Sequence, residues 1–268
     1  MIDLRSAFGF HTPPFTREIR TADFLSFPFF DEALSGLKRC IEARHSGALI
    51  APSGTGKTSL LRRLTAALPE ARYQVRYIKV TDLSKRDLCR EIAVACGAHP
   101  AGAYSFLVRA LQERFEHAVH SEGLRPVILL DEAQDLRPDS FALVRLLTNF
   151  EMDSRLVLSL VLCGQPQLKV TLGRDDQESV ARRIHHYACL RLLSRDELSQ
   201  YLQHRCTVAG ARQLPFDAGA VEALYELSRG NLRATDALAL TALERAALAK
   251  KTVVSTQDVA EARKELYP

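Results

Sequence analysis

Ala51-Pro52-Ser53-Gly54-Thr55-Gly56-Lys57-Thr58 follows the apolar run Ala48-Leu49-Ile50 and precedes the helical pattern Ser59-Leu60-Leu61-Arg62-Arg63-Leu64. A strand, a glycine-bearing loop and a helix in that order are the context of a loop that cradles nucleotide phosphates. The glycines let the backbone wrap closely round a polyphosphate, with successive N–H groups pointing inward. The helix N-terminus behind the loop adds partial positive charge. Lys57 is placed to reach the β- and γ-phosphates, and the Thr58 hydroxyl to hold Mg²⁺. The expected nucleotide-binding set is therefore Pro52, Ser53, Gly54, Thr55, Gly56, Lys57, Thr58 and Ser59. Ala51 stands where glycine is commonest, at a turn position that does not touch phosphate. A glycine-rich turn that happens to contain Lys-Thr would leave the acidic motif downstream unexplained.

Outward from the octet, short apolar runs alternate with helical patterns. Strands are expected at Gly47–Ala51, Tyr73–Val80, Val127–Leu130, Leu156–Cys163 and about Ala188–Leu192. Most are apolar on both faces, which is the pattern of a parallel sheet covered on both sides. A helix is expected from Asp31 to about Arg44. Phe8-Gly9-Phe10-His11-Thr12-Pro13-Pro14-Phe15 reads as a rigid, aromatic, non-helical segment. After Leu193 the strands stop. Ser194-Arg195-Asp196-Glu197 is a capping box opening a helix to about Val208. Asp217 caps a second helix to Ser228, and a third runs from about Asn231 to Ala249. Ser255-Thr256-Gln257-Asp258 opens a last one. The division expected is an N-terminal arm over 1–30, an α/β domain over 31–193 and a helical lid over 194–268.

Composition bounds the rest. With 268 residues, 47% of them hydrophobic, the chain can build one or two domains with a sizeable core. No apolar stretch approaches the ~20 residues of a membrane helix. Asp3 and Arg5 interrupt the start where a signal segment would lie, so a cytoplasmic protein is expected. The six cysteines lack C-x-x-C spacing and read as reduced core thiols. His185-His186-x-x-Cys189, taken as a loop entering a strand, shows no second ligand pair. A net charge of +4 permits nucleic-acid binding without demanding it.

Val127-Ile128-Leu129-Leu130-Asp131-Glu132 carries the second motif. At the end of a buried strand, Asp131 would orient Mg²⁺ and Glu132 would polarise the water attacking the γ-phosphate. A solvated acidic turn is the alternative for this motif taken alone. Gln165, after the fourth strand, would emerge beside the phosphates if that strand lies between the first and third. It would hold the attacking water. Arg182 and Arg183 precede the fifth strand, and either fits as a finger reaching a neighbouring subunit's nucleotide; a pair of surface arginines is the alternative. Arg233 opens a helix at its N-terminal end, where the dipole disfavours a cation. That mismatch favours a role in reaching back to the γ-phosphate.

Together these residues resemble the AAA+ ATPase superfamily, a branch of the ASCE P-loop NTPases with a three-layer, five-stranded parallel sheet and a C-terminal helical lid. Within it, Phe-Gly-Phe-x-x-x-Pro-Phe, Asp131-Glu132-Ala133-Gln134 and Gly164-Gln165-Pro166-Gln167-Leu168 resemble one group. It holds the secretion ATPase ExeA and the transposition ATPases of the TniB, TnsC, IstB and Mu B kind. By that resemblance Pro14 and Phe15 lie near the adenine, with packing of the arm on the core as the alternative. The resemblance implies hydrolysis of ATP with Mg²⁺ and a hexameric ring or helical filament. In the transposition reading, ATP-bound subunits assemble on duplex DNA and serve a transposase and a targeting protein. Lys79, Lys85, Arg86 and Arg90 would then meet phosphates, with a solvated basic face as the equal alternative. In the secretion reading, members continue into a membrane segment and a wall-binding domain. The chain ends at Pro268 without them, so transposition is the expectation. A nucleotide-switched signalling protein without DNA is a third reading.

Overall fold

The computed structural model describes residues 4–16, 18–152 and 154–266. The chain forms two compact units. The sheet unit takes Pro28–Pro52 and Lys57–Leu190; the helical unit takes Met1–Phe27, Ser53–Gly56 and Arg191–Pro268.

The sheet unit is built on five strands in the order β2-β3-β4-β1-β5. They are β1 (Ser46–Ile50), β2 (Tyr73–Lys79), β3 (Arg125–Asp131), β4 (Ser159–Gly164) and β5 (Ile184–Cys189). Every pairing is parallel. β1 and β4 are buried at every residue and β3 at all but its first, so helices cover both faces. The apolar side chains of β3 and β4, such as Ile128, Leu130, Leu160 and Leu162, join one core with Leu88, Ile92, Leu111 and Phe115 from helices. Those helices, Lys85–Cys96 and Tyr104–His120, repeat apolar residues at three- and four-residue spacing, which gives each one buried face.

Two strands differ from the sequence expectation. β5 lies four residues earlier than the apolar run suggests, and His185-His186 is part of it rather than a loop. Its burial alternates, with Ile184 and Ala188 buried and His185, Tyr187 and Cys189 exposed. An edge strand has one free flank, so it does not need the all-apolar composition of a central strand. A register shift between Ser46 and Gly47 sets its pairing to β1. β4 begins at Ser159 rather than Leu156, where its pairing with β3 begins opposite Val127; Arg155 instead forms an isolated antiparallel bridge with Phe150. At the other end of the chain, Phe8 closes a short helix, Leu4–Phe8, so the opening segment is not wholly non-helical. Five cysteines are buried, and Cys189 is exposed on β5.

In the helical unit the capping residues read from the sequence do their work. Ser194 Oγ accepts from the Glu197 N–H at 3.3 Å, and the Ser194 N–H donates to Glu197 at 2.8 Å. This closes the capping box of the Arg195–Val208 helix. Arg191 adds two hydrogen bonds to Glu197 and, with the box, holds that carboxyl down at about 2. Asp217 accepts from Ala220 N–H at 2.6 Å to cap Ala218–Ser228. Leu232–Leu248 and Thr256–Leu266 complete the unit. Gly230 links two of these helices at φ +74, and a Cβ there would lie 2.0 Å from the Leu193 carbonyl oxygen. Only glycine fits that approach. Among the described residues, no helix is long and apolar enough to cross a membrane.

Candidate functional site

β1 delivers the chain into the octet, and Lys57 is the first residue of the Lys57–Ala66 helix. The side chain turns inward: Lys57 is only 7% exposed. Its Nζ lies 3.3 Å from Asp131 Oδ1 and 3.1 Å from Glu132 Oε1. Asp131 ends β3 and is itself only 3% exposed. Its Oδ1 also accepts from the Glu132 N–H at 2.9 Å, and its Oδ2 accepts from Tyr77 of β2 at 2.9 Å. Burial and the bond to Asp131 push the Tyr77 phenol well above its ordinary pKa.

Glu132 leaves the strand with φ 57 and ψ 36, in the left-handed region. A residue with a Cβ stands there at a cost of about 1–2 kcal/mol, and such strain concentrates at working sites. The tight turn Ala133–Asp135 follows, closed by the Asp135 N–H on the Glu132 carbonyl at 2.9 Å. It brings Gln134 back so that Nε2 donates to Glu132 Oε2 at 2.9 Å. Burial acts to raise the Glu132 pKa. Hydrogen bonds from Gln134 and Lys57, the Lys57 charge and a hydrogen bond from Gln165 outweigh it, and the carboxyl sits below its ordinary value. It is therefore ionised at neutral pH, as a proton acceptor must be. An open cleft of about 690 Å³ adjoins Glu132, lined also by Lys79, Val80, Thr81, Asp82 and Asp135.

One ammonium faces two carboxylates, so this cluster carries a net negative charge. A divalent cation would complement it, and the Asp131 carboxylate is a hard-oxygen donor of the kind Mg²⁺ takes; Thr58 follows Lys57 in its helix and is exposed. Lys57, Asp131 and Glu132 together fit the end of a magnesium polyphosphate. Gln165 caps the Pro166–Leu172 helix directly beyond β4, and β4 does lie between β1 and β3.

In the helical unit, the loop crest meets the start of the Leu232–Leu248 helix. Asn231 accepts from Ala234 N–H at 3.1 Å as its N-cap and donates to the Ser53 carbonyl at 2.7 Å. The Arg233 N–H donates to the Gly54 carbonyl at 3.2 Å, and its guanidinium reaches Ser53 Oγ at 3.4 Å. Gly54 has φ +78, and a Cβ there would lie 2.3 Å from Asn231 Oδ1. Gly54→Ala is thus expected to displace the cap and strain the loop, lowering stability by about 1–3 kcal/mol. Thermal unfolding measures it, and an unchanged midpoint would show that Asn231 is not needed there. The sequence marks Asn231 only as the start of a helix; its place as the cap and its grip on the loop come from the structure.

The remaining candidates are placed as follows. Phe15 is buried with φ 58, edge-on to Phe216 at 6.2 Å and 5.6 Å beneath the Arg205 guanidinium; Pro14 beside it is buried too. Arg182 is exposed and paired with Glu178 at 2.6 Å, while Arg183 donates to the Ser179 carbonyl at 2.9 Å. The preceding segment holds the short helix Glu178–Ala181. Lys79 is exposed at the end of β2. Lys85 and Arg86 open the Lys85–Cys96 helix, whose buried face is Leu88, Cys89, Ile92, Ala93 and Cys96. Lys85 lies over the Tyr104 ring at 4.6 Å, Arg86 donates to the Gly102 carbonyl at 3.0 Å, and Arg90 pairs with Asp87 at 2.9 Å. None of these contacts uses all the donors of its cation.

Residues 41–172 match the AAA domain family AAA_22. That match covers just under half of the chain. Its sheet has the five-stranded, all-parallel form of AAA+ ATPases, with a helical C-terminal part. General secretion pathway protein A of Aeromonas hydrophila is 32% identical over 228 residues, or 83% of this chain. The chain spans only 41% of that relative's length. Among solved structures, Cdc6p of Pyrobaculum aerophilum superposes with a TM-score of 0.75 at 18% identity, over 94% of this chain and 70% of that one. Aeropyrum pernix ORC1, solved in complex with DNA, gives 0.70 at 21% identity, over 96% and 70%. Thermotoga maritima RuvB gives 0.61 at 17% identity, over 88% and 67%. At these identities the likeness is one of fold.

Proposed function

We propose that this AAA+ protein hydrolyses ATP with Mg²⁺, and that the nucleotide state governs its assembly on duplex DNA as a transposition target selector. The contact of Lys57 with Asp131 and Glu132 carries the ATPase reading, because it gathers a phosphate-binding cation, a metal ligand and an ionised base. In this scheme Pro52–Ser59 cradle the phosphates. Thr58 and Asp131 hold Mg²⁺, which supplies charge neutralisation of the phosphoryl oxygens. Glu132 takes the proton of the attacking water, and Gln165 holds that water. Arg182 or Arg183 serves a neighbouring copy's site in a ring or filament. Arg233 links the lid to the γ-phosphate, and Pro14 and Phe15 lie toward the base. The arm, ATPase and lid spans of 1–30, 31–193 and 194–268 are the matching functional division.

The DNA part rests on Lys79, Lys85, Arg86 and Arg90. Lys85 and Arg86 occupy a first helical turn, where the dipole disfavours cations, so the helix gains nothing from their charge. Contacts of this kind read phosphates rather than bases and weaken with salt. Lys85→Ala with Arg86→Ala is expected to weaken duplex binding equally for all sequences and to lower the salt slope by about 2. Unchanged binding would move the DNA surface elsewhere. The decisive experiment is binding to a fluorescent random-sequence duplex with ATP, with ADP and with no nucleotide. Tight binding only with ATP supports the selector. No binding by protein that still hydrolyses ATP favours the second reading, an ATPase module of a secretion assembly, which the identity to general secretion pathway protein A supports.

A further inference from the structure

We infer that Gln134 is a positioning residue for hydrolysis: it bridges the end of β4 to Glu132 and aims the Glu132 carboxylate. The inference rests on the reading of Glu132 as the base. Gln134 Oε1 accepts from the Gln165 N–H at 3.0 Å, while Nε2 donates to Glu132 Oε2 at 2.9 Å. Chemistry sets the amide's orientation. Flipping it would set the NH₂ against the Gln165 N–H and the oxygen against a carboxylate, two repulsive contacts in place of two bonds. A side chain of this reach carrying both a donor and an acceptor is needed, and glutamine supplies both.

The surroundings are shaped to admit it. A Cβ on Gly164 would lie 2.9 Å from Gln134 Oε1 and 2.8 Å from Leu168 Cδ2, so glycine ends β4 at this point. Glu132 needs such a guide because it leaves β3 in a left-handed conformation, outside the sheet's hydrogen bonding. Lys57 and the Gln165 side chain are its other partners. Once a γ-phosphate engages Lys57, Gln134 still ties the base to the backbone beside Gln165. The carboxylate and the side chain assigned to the attacking water then share one rigid frame.

The test uses the full chain, steady-state phosphate release and binding of a fluorescent ATP analogue. Gln134→Ala is expected to lower kcat about 10–100-fold, the scale at which orienting partners act, with analogue affinity unchanged. Gln134→Glu carries the readout that a merely structural role would not move. Two carboxyls in contact share a proton, and one pKa rises strongly. At low pH the new carboxyl keeps a proton and donates to Glu132, so turnover is retained. As pH rises both ionise and repel, and kcat falls where the wild-type rate holds. The other titratable groups facing Glu132 are Lys57, Asp131, Tyr77 and Cys163, and burial keeps the last two protonated. An unchanged kcat in Gln134→Ala, a parallel loss of analogue binding, or a wild-type pH profile in Gln134→Glu would each overturn the inference. Glu132→Gln separates the two ideas. If it hydrolyses normally, the base assignment fails. If it is inactive while Gln134→Ala is normal, only the positioning role fails.

Discussion

Glu132→Gln is expected to bind ATP and hydrolyse it about 10²–10⁴-fold more slowly than the wild type, the usual contribution of a positioned general base. That corresponds to about 3–5 kcal/mol of barrier. The substitution is close to isosteric, so the 3.1 Å approach to Lys57 and the 2.9 Å bond to Gln134 involve an amide in place of a carboxylate. What disappears is the ability to take a proton and, because the amide has one acceptor oxygen for two donors, one of those two contacts. Because its partners hold the Glu132 carboxyl below its ordinary value, the wild-type base is charged throughout the neutral range. The acid limb of its kcat/KM, which reports the free enzyme, is expected below the usual carboxylate range, and the variant should lack it. Assembly should persist, since ATP stays bound and unspent. Phosphate release under saturating ATP, read beside analogue affinity, measures both. Wild-type turnover would show that Glu132 is not the base.

Lys57→Ala is expected to weaken ATP binding by at least about 100-fold, roughly 3 kcal/mol, and with it assembly. The cation it removes serves in the ATP-free protein as well. It is the partner of Asp131, which is only 3% exposed, and of Glu132. Breaking a buried pair by deleting one member costs about 3–5 kcal/mol, because the remaining charge stays desolvated. A drop in the unfolding midpoint is therefore expected alongside the binding defect. Circular dichroism separates them: a folded variant that binds ATP as tightly as the wild type would remove Lys57 from the phosphate site.

The elements that the sequence made legible share one property, which is that their signals are local. The octet needs only its flanking runs. Ser194, Asp217 and Asn231 cap the helices they announce, because a cap bonds the backbone two or three residues on. Leu88, Ile92 and Cys96 are buried as their spacing requires. Strand β5 was legible only in outline. Its identity depends on pairing with β1, far away in the chain, and its edge position frees it from an apolar pattern. β4 starts where its pairing with β3 starts, at Ser159 opposite Val127, a partner equally invisible to local pattern.

By itself, then, the sequence determined the strand–loop–helix of the octet, the acidic end of β3, the parallel α/β class and the capped C-terminal helices. Each follows from side-chain periodicity or from hydrogen bonds spanning a few residues. Only the tertiary structure decided that β4 lies between β1 and β3, and that Lys57 Nζ stands within 3.3 Å of Asp131 and 3.1 Å of Glu132. It alone decided that Tyr77 holds Asp131, that Asn231 grips the loop crest and that Gln134 ties Glu132 to β4. These are contacts between residues distant in the chain or turned back by a left-handed backbone. Their geometry comes from long-range strand pairing and close packing, which no local pattern encodes.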